Sequence, residues 1–196
     1  MKRNNRFLLS IIISICFYLF SCKTAEFGNK VLDVNGMVYD FSNRPVPNFE
    51  ISLDKDYNCS TDINGRFTLQ KVPIGAYTLT GNKAGFERYE ENVFIRENGQ
   101  IIYIRLPSQN QLLHLVDEAL GANDFDSAEA LAERAYQIDK KNVEMLLYYA
   151  SVKFRKKDLI GAIGLLEATV NLGSRDPYIN KFLSLLKELK NENEPD

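Results

Sequence analysis

Thr61-Asp62-Ile63-Asn64-Gly65-Arg66-Phe67 is a chain reversal spelled out in side chains. Asp62 can accept hydrogen bonds from amides of its own turn, and Gly65 tolerates a positive φ, so two strands reverse between them. Outward from this turn the residues alternate. Phe67 and Leu69 follow it; Phe49, Ile51 and Leu53 precede it; Leu32, Val34 and Val38 lie before a second turn at Ser42-Asn43-Arg44-Pro45. Past Val72-Pro73-Ile74-Gly75 come Tyr77 and Leu79, then Ile102, Ile104 and Leu106. A period of two, punctuated roughly every eight to twelve residues, predicts a small all-β sandwich. It spans residues 31–107, and each strand offers one face to the core.

The turns also carry a resemblance. Gly36-x-Val38-x-Asp40, Pro45-Val46-Pro47, Thr61-Asp62-x-x-Gly65-x-Phe67, Val72-Pro73-x-Gly75-x-Tyr77-x-Leu79 and Gly85-Phe86 occur in that order. The segment resembles the carboxypeptidase regulatory-like family. The resemblance implies a seven-stranded antiparallel sandwich, related in shape to transthyretin, that serves as a non-catalytic accessory module. Its signature residues are turn and core residues, so the resemblance assigns none of them a functional role.

After Leu106-Pro107 the period lengthens to about three and a half residues, and Ser108 is suited to cap the helix that starts there. Asn123-Asp124-Phe125-Asp126-Ser127-Ala128 and Lys157-Asp158-Leu159-Ile160-Gly161-Ala162 lie 34 residues apart, as do Leu112 and Leu146, Leu131 and Leu165, and Ile138 and Leu172. Residues 109–190 therefore resemble a tetratricopeptide array of about five helices. Ala128, Ala135 and Ala162 fall at its close helix contacts. Asp176-Pro177 restarts a helix through Lys190, whose Ile179, Phe182, Leu183 and Leu186 suit a terminal cap on the array. Residues 191–196 form a polar tail.

Such repeats bind peptides or protein segments on the concave surface formed by the first helix of each pair. By position the resemblance places Asn110, Leu113, Asp117 and Leu120 there, followed by Glu144, Leu147, Ser151, Phe154 and Arg155. Leu113, Asp117, Leu147 and Ser151 stand where a basic carboxylate clamp would have Lys and Asn, so an apolar groove with an acidic edge is expected. Leu113, Leu147 and Phe154 are equally suited to packing on the β domain, and the sequence leaves both readings open.

The other end of the chain speaks to location. Lys2, Arg3 and Arg6 precede an uncharged run from Phe7 to Phe20, too short for the ~20 residues of a spanning helix. It has the form of an export signal, residues 1–21. Leu19-Phe20-Ser21-Cys22 resembles a bacterial lipobox, which implies lipidation of Cys22 and a membrane anchor, with residues 22–30 as a tether. Lys23 is not the aspartate that retains some lipoproteins at the inner membrane, so the expectation favours the outer membrane. Loss of residues 1–21 takes away three of the 24 Lys+Arg and none of the 26 Asp+Glu, so the formal charge moves from −2 to −5. A mildly acidic chain without a basic stripe argues against nucleic acid as a partner. The expected partner is another envelope protein or peptide. A glycan held by the loops at Asp54–Asn58 and Asn82–Arg88 is the alternative.

Chemistry is sparse. His114 is the single histidine, so neither a two-His zinc site nor a Ser-His-Asp triad with a nucleophile elbow can be assembled. His114-x-x-Asp117 lacks a third ligand. Asp54-x-Asp56-x-Asn58 opens like a calcium loop, but Cys59 and Gly65 occupy the positions of its Gly and its bidentate Glu. With Cys16 in the signal and Cys22 lipidated, Cys59 is left without a disulfide partner and reads as a packed strand residue. The expectation is no cofactor, no metal and no catalytic residue.

Overall fold

A computed structural model describes residues 30–97 and 99–193. The export signal and Cys22 lie outside the described residues. Seven strands come first: β1 (Val31–Tyr39), β2 (Glu50–Leu53), β3 (Tyr57–Ser60), β4 (Arg66–Pro73), β5 (Gly75–Asn82), β6 (Tyr89–Ile95) and β7 (Ile101–Arg105). They form two sheets, ordered β4-β1-β7 and β3-β2-β5-β6.

The alternation seen in the sequence is the division between core and solvent. Leu32, Val34 and Val38 of β1, Phe49, Ile51 and Leu53 around β2, and Phe67 and Leu69 of β4 all point between the sheets, where they meet Leu79, Ile95, Ile102, Ile104 and Leu106. Gly36 continues the inward face of β1, and a Cβ there would lie 2.2 Å from the Phe67 ring. Pairing is antiparallel except between β1 and β7, which run parallel from Asn35↔Ile101 to Tyr39↔Arg105. This corrects the expectation of purely antiparallel pairing. β6 belongs to one sheet and β7 to the other, so their connection crosses the sandwich, and the direction of β7 is set by that crossing.

The turn residues are held by hydrogen bonds. Asp62 Oδ1 accepts from the amides of Asn64 and Arg66, each at 2.8 Å, and Gly65 has φ +74°. Asp40 organises the neighbouring turn: its Oδ1 accepts from the amides of Ser42 and Arg44 and its Oδ2 from Arg44 Nε. Burial pushes the Asp40 carboxyl up, but the Arg44 and Ser42 donors outweigh it and hold it below its ordinary value. Thr61 is buried, and its hydroxyl donates to the Val46 carbonyl and accepts from the Phe49 amide. At the would-be calcium loop, Asp54 instead accepts from the Thr78 amide at 2.6 Å, tying the β2–β3 turn to β5.

Five helices follow: α1 (Gln109–Gly121), α2 (Phe125–Ile138), α3 (Val143–Arg155), α4 (Leu159–Asn171) and α5 (Pro177–Asn193). Ser108 caps α1 in a reciprocal capping box with Gln111, and Asp124, Asn142 and Asp158 cap α2, α3 and α4. Each cap satisfies an amide that would otherwise have no partner in the first turn. Ala128, Ala135 and Ala162 are fully buried between helices. Thr169, also fully buried, satisfies its hydroxyl on the Leu165 carbonyl. Helix α5 begins at Pro177 as expected and runs to Asn193, past Lys190.

The halves are joined tightly. Gln109 N–H donates to the Gly85 carbonyl and Glu87 N–H to that of Pro107, with a further bridge between Phe86 and Ser108. Arg134 of α2 grips Glu87 with two hydrogen bonds of 2.8 Å.

Candidate functional site

The first helices of successive repeat pairs are α1, α3 and α5, and they form one surface carrying two cavities. The first, of about 350 Å³, is lined by Asn110, Leu113, His114 and Asp117 of α1 with Glu144 and Tyr148 of α3. The second, of about 360 Å³, is lined by Leu147 of α3 together with Tyr178, Ile179, Lys181, Phe182 and Leu185 of α5 and Asp176 before it. Glu144, Leu147 and Tyr148 sit within little more than one turn of α3, so the cavities share that helix as a wall. No sandwich residue lines either one.

Four of the residues expected in a groove thus come together: Asn110, Leu113, Asp117 and Glu144. Leu113 is only 5% exposed and forms the floor among Leu112, Val116 and Tyr149. Leu120 is half-buried in that same cluster. Leu147 belongs to the second cavity and packs within the array, not on the sandwich. Ser151 donates its hydroxyl back to the Leu147 carbonyl. Phe154 stands edge-on to Phe182 at 5.6 Å between α3 and α5. Arg155 lies over the Phe125 ring and reaches Asn123 Oδ1, so it braces the α1–α2 turn.

The sequence reading did not include Tyr148, Tyr178, Lys181, Phe182 or Leu185 in the groove. One more step of 34 residues finds four of them: Asn110 and Glu144 lead to Tyr178, His114 and Tyr148 to Phe182, Leu113 and Leu147 to Lys181, Asp117 and Ser151 to Leu185. Tyr178 is 82% exposed and Leu185 48%. Treating α5 as a cap hid the fact that it supplies a third wall.

Charge is distributed unevenly across the array. Between α2 and α3, Lys153 and Lys156 both bond Glu129 at 2.6 Å, and Lys156 also meets Asp126. Hydrogen bonds from the two lysines hold the Glu129 carboxyl below its ordinary value. Tyr149 donates to Glu133 at 2.5 Å, and burial first, then that carboxylate, push its phenol up. On the concave side, Asp117 and Glu144 form no ion pair among the described residues. His114 Nδ1 lies 3.7 Å from Glu118, one turn along α1.

A separate depression of about 620 Å³ lies on the four-stranded sheet, lined by Glu50, Ser52, Asn58, Ser60, Asn82 and Arg88 among others. Among the described residues, no group of three or more His, Cys, Asp or Glu could hold a metal ion, and no helix is long and apolar enough to cross a membrane.

Residues 33–104 match the family model of the carboxypeptidase regulatory-like domain, and residues 119–186 that of the tetratricopeptide repeat. No curated protein matches the chain. Among solved structures, an interface mutant of a type II cohesin–X–dockerin complex from Acetivibrio cellulolyticus is 19% identical, over 41% of this chain and 60% of that one, with a TM-score of 0.36. The Bacillus anthracis TIE protein is also 19% identical, over 40% of this chain and 16% of that one, with a TM-score of 0.35. The 3-chlorocatechol 1,2-dioxygenase of Rhodococcus opacus is 14% identical, over 41% and 60%, with a TM-score of 0.33. The chain spans less than two thirds of each, and likeness at this level carries no functional argument.

Proposed function

We propose that this chain, which joins a carboxypeptidase regulatory-like domain to a tetratricopeptide array, is a non-catalytic scaffold that binds another envelope protein through its helices. Both matched families are non-catalytic modules, and tetratricopeptide repeats are protein-interaction modules. The observation that carries the reading is the concave surface itself. Two cavities lie side by side on α1, α3 and α5, clear of the sandwich, with Tyr178 and Leu185 exposed at the rim. Exposed apolar side chains grouped around a cavity mark contact surfaces.

The test is site-specific photocrosslinking in intact cells, with the photoreactive residue at Leu185 or, as a control, at Ile160, an exposed residue of α4 outside both cavities. A defined adduct from position 185 and none from 160 is expected. Equal adducts from both positions, or none, would refute the groove.

The lipid anchor is part of the proposal, supported by the lipobox-like Leu19-Phe20-Ser21-Cys22. Labelled palmitate should enter the protein and be lost in Cys22→Ser; label retained in that variant would remove the anchor. A second reading, glycan binding, is favoured by one observation: Asn58, Asn82 and Arg88 from the two expected loops meet in the sheet depression. Co-sedimentation with cell-wall glycan that disappears in Asn58→Ala/Arg88→Ala would establish it.

A further inference from the structure

We infer that the segment bound by the concave surface carries a basic residue and a bulky apolar residue about three positions apart. The inference rests on the groove reading above and names the chemistry of the partner.

The surface is not uniform. The cavity between α1 and α3 presents Asp117 and Glu144, while the one between α3 and α5 presents Leu147, Tyr178, Phe182 and Leu185. Some carboxylates of the chain are matched internally, Glu87 to Arg134, Glu129 to Lys153 and Lys156, and Glu167 to Lys187, whereas the two that line the first cavity stand together on its wall. Asp117 and Glu144 have no such match among the described residues, and Lys181, across the second cavity, ion-pairs with neither. A cation from a partner would supply the missing half of this arrangement. An apolar side chain would fill the second cavity and cover the exposed carbon of Leu185 and Tyr178.

Spacing follows from helix packing. Adjacent helices lie about 8–10 Å apart, so two cavities on either side of α3 are separated by about that distance. A polyproline II segment has three residues per turn, which brings positions i and i+3 to one side, and it advances about 3.1 Å per residue, which sets the two side chains roughly three positions apart. Neutral anchors at both ends would leave the two carboxylates partly desolvated without compensation. An acidic segment would meet like charge.

The test uses the full chain in detergent micelles and an array of 12-residue Gly/Ser peptides. Each carries Arg, Ser or Glu at one position and Phe, Leu or Ser two to five positions away. The Arg–Phe and Arg–Leu peptides at a spacing of three should bind best, about fivefold better than their Glu counterparts. Asp117→Lys/Glu144→Lys should reverse that charge preference and keep the apolar one. Leu185→Glu should weaken all of them about tenfold. Binding that Leu185→Glu abolishes but that shows no preference for Arg would overturn the basic–apolar partner and leave the groove standing. Binding indifferent to Leu185→Glu, or no binding by any peptide, would overturn the groove as well. Circular dichroism melts of both variants identify an unfolded protein; in that event Tyr178→Ser, at a side chain 82% exposed, replaces Leu185→Glu.

Discussion

Asp40 shows how one side chain can hold a turn together. Its carboxylate takes three donors while only 5% of the side chain is exposed. Asp40→Ala leaves the Ser42 and Arg44 amides without their acceptor and is expected to cost about 1–3 kcal/mol in urea unfolding. The folded carboxyl titrates below its ordinary value of 3.8, so its contribution is fully present above that pH and is lost as pH falls through the folded value. Asp40→Asn should therefore flatten the fall of stability below about pH 4, measured as melting temperature against pH. The motif containing Asp40 was legible in the sequence, but its task was not, because Arg44 becomes a partner only once the turn has closed. Gln109 was less legible still. It is buried, and its amide donates to the carbonyls of Ala135 and Asp139 and accepts from Asn142. These partners come from α2 and the α2–α3 loop, which no local pattern connects to the start of α1.

At the scale of elements, alternation and the 34-residue offset made most strands and all the helices readable. β6 escaped because Glu91 interrupts its inward face of Tyr89, Val93 and Ile95 while the apolar Phe94 stands exposed on the opposite face, which blurs the period of two. The repeat also explains the fully buried Ala162, set between α4 and its neighbours. Ala162→Leu must push those helices apart or strain its own rotamer, at a cost of about 1–3 kcal/mol. Thermal melting should show the loss, and exchange protection in α4 and α5 should fall more than in the sandwich. The groove was half legible for the same reason: two repeats were counted, while α5 supplies the third wall without a following helix to complete its pair.

For the whole molecule the joint matters most. Glu87 and Arg134 make a bidentate bridge between sandwich and array, reinforced by the hydrogen bond from Gln111 Nε2 to Ser42 Oγ. Both charged partners are partly solvated, so the pair contributes about 1 kcal/mol or less to folding. Arg134→Ala is therefore expected to leave the melting temperature nearly unchanged while broadening the distance between fluorophores on Lys55 and Lys187. An unaltered distribution would mean that the backbone bonds of Gly85, Pro107 and Gln109 alone hold the halves. The parallel pairing of β1 and β7 has a mechanical meaning. The chain enters the sandwich at Val31 and leaves it after Arg105, on two strands that lie side by side and point the same way. Tension between a tethered N-terminus and a partner gripping the helices would pull β1 and β7 in opposite directions along their length. All five registered pairs would then resist together in shear, instead of opening one at a time like a zipper. Single-molecule pulling between residue 30 and the end of α5 should extend the helices at low force and break the sandwich last. Met37→Pro, which removes an amide that β1 turns toward β7, should lower the final rupture force.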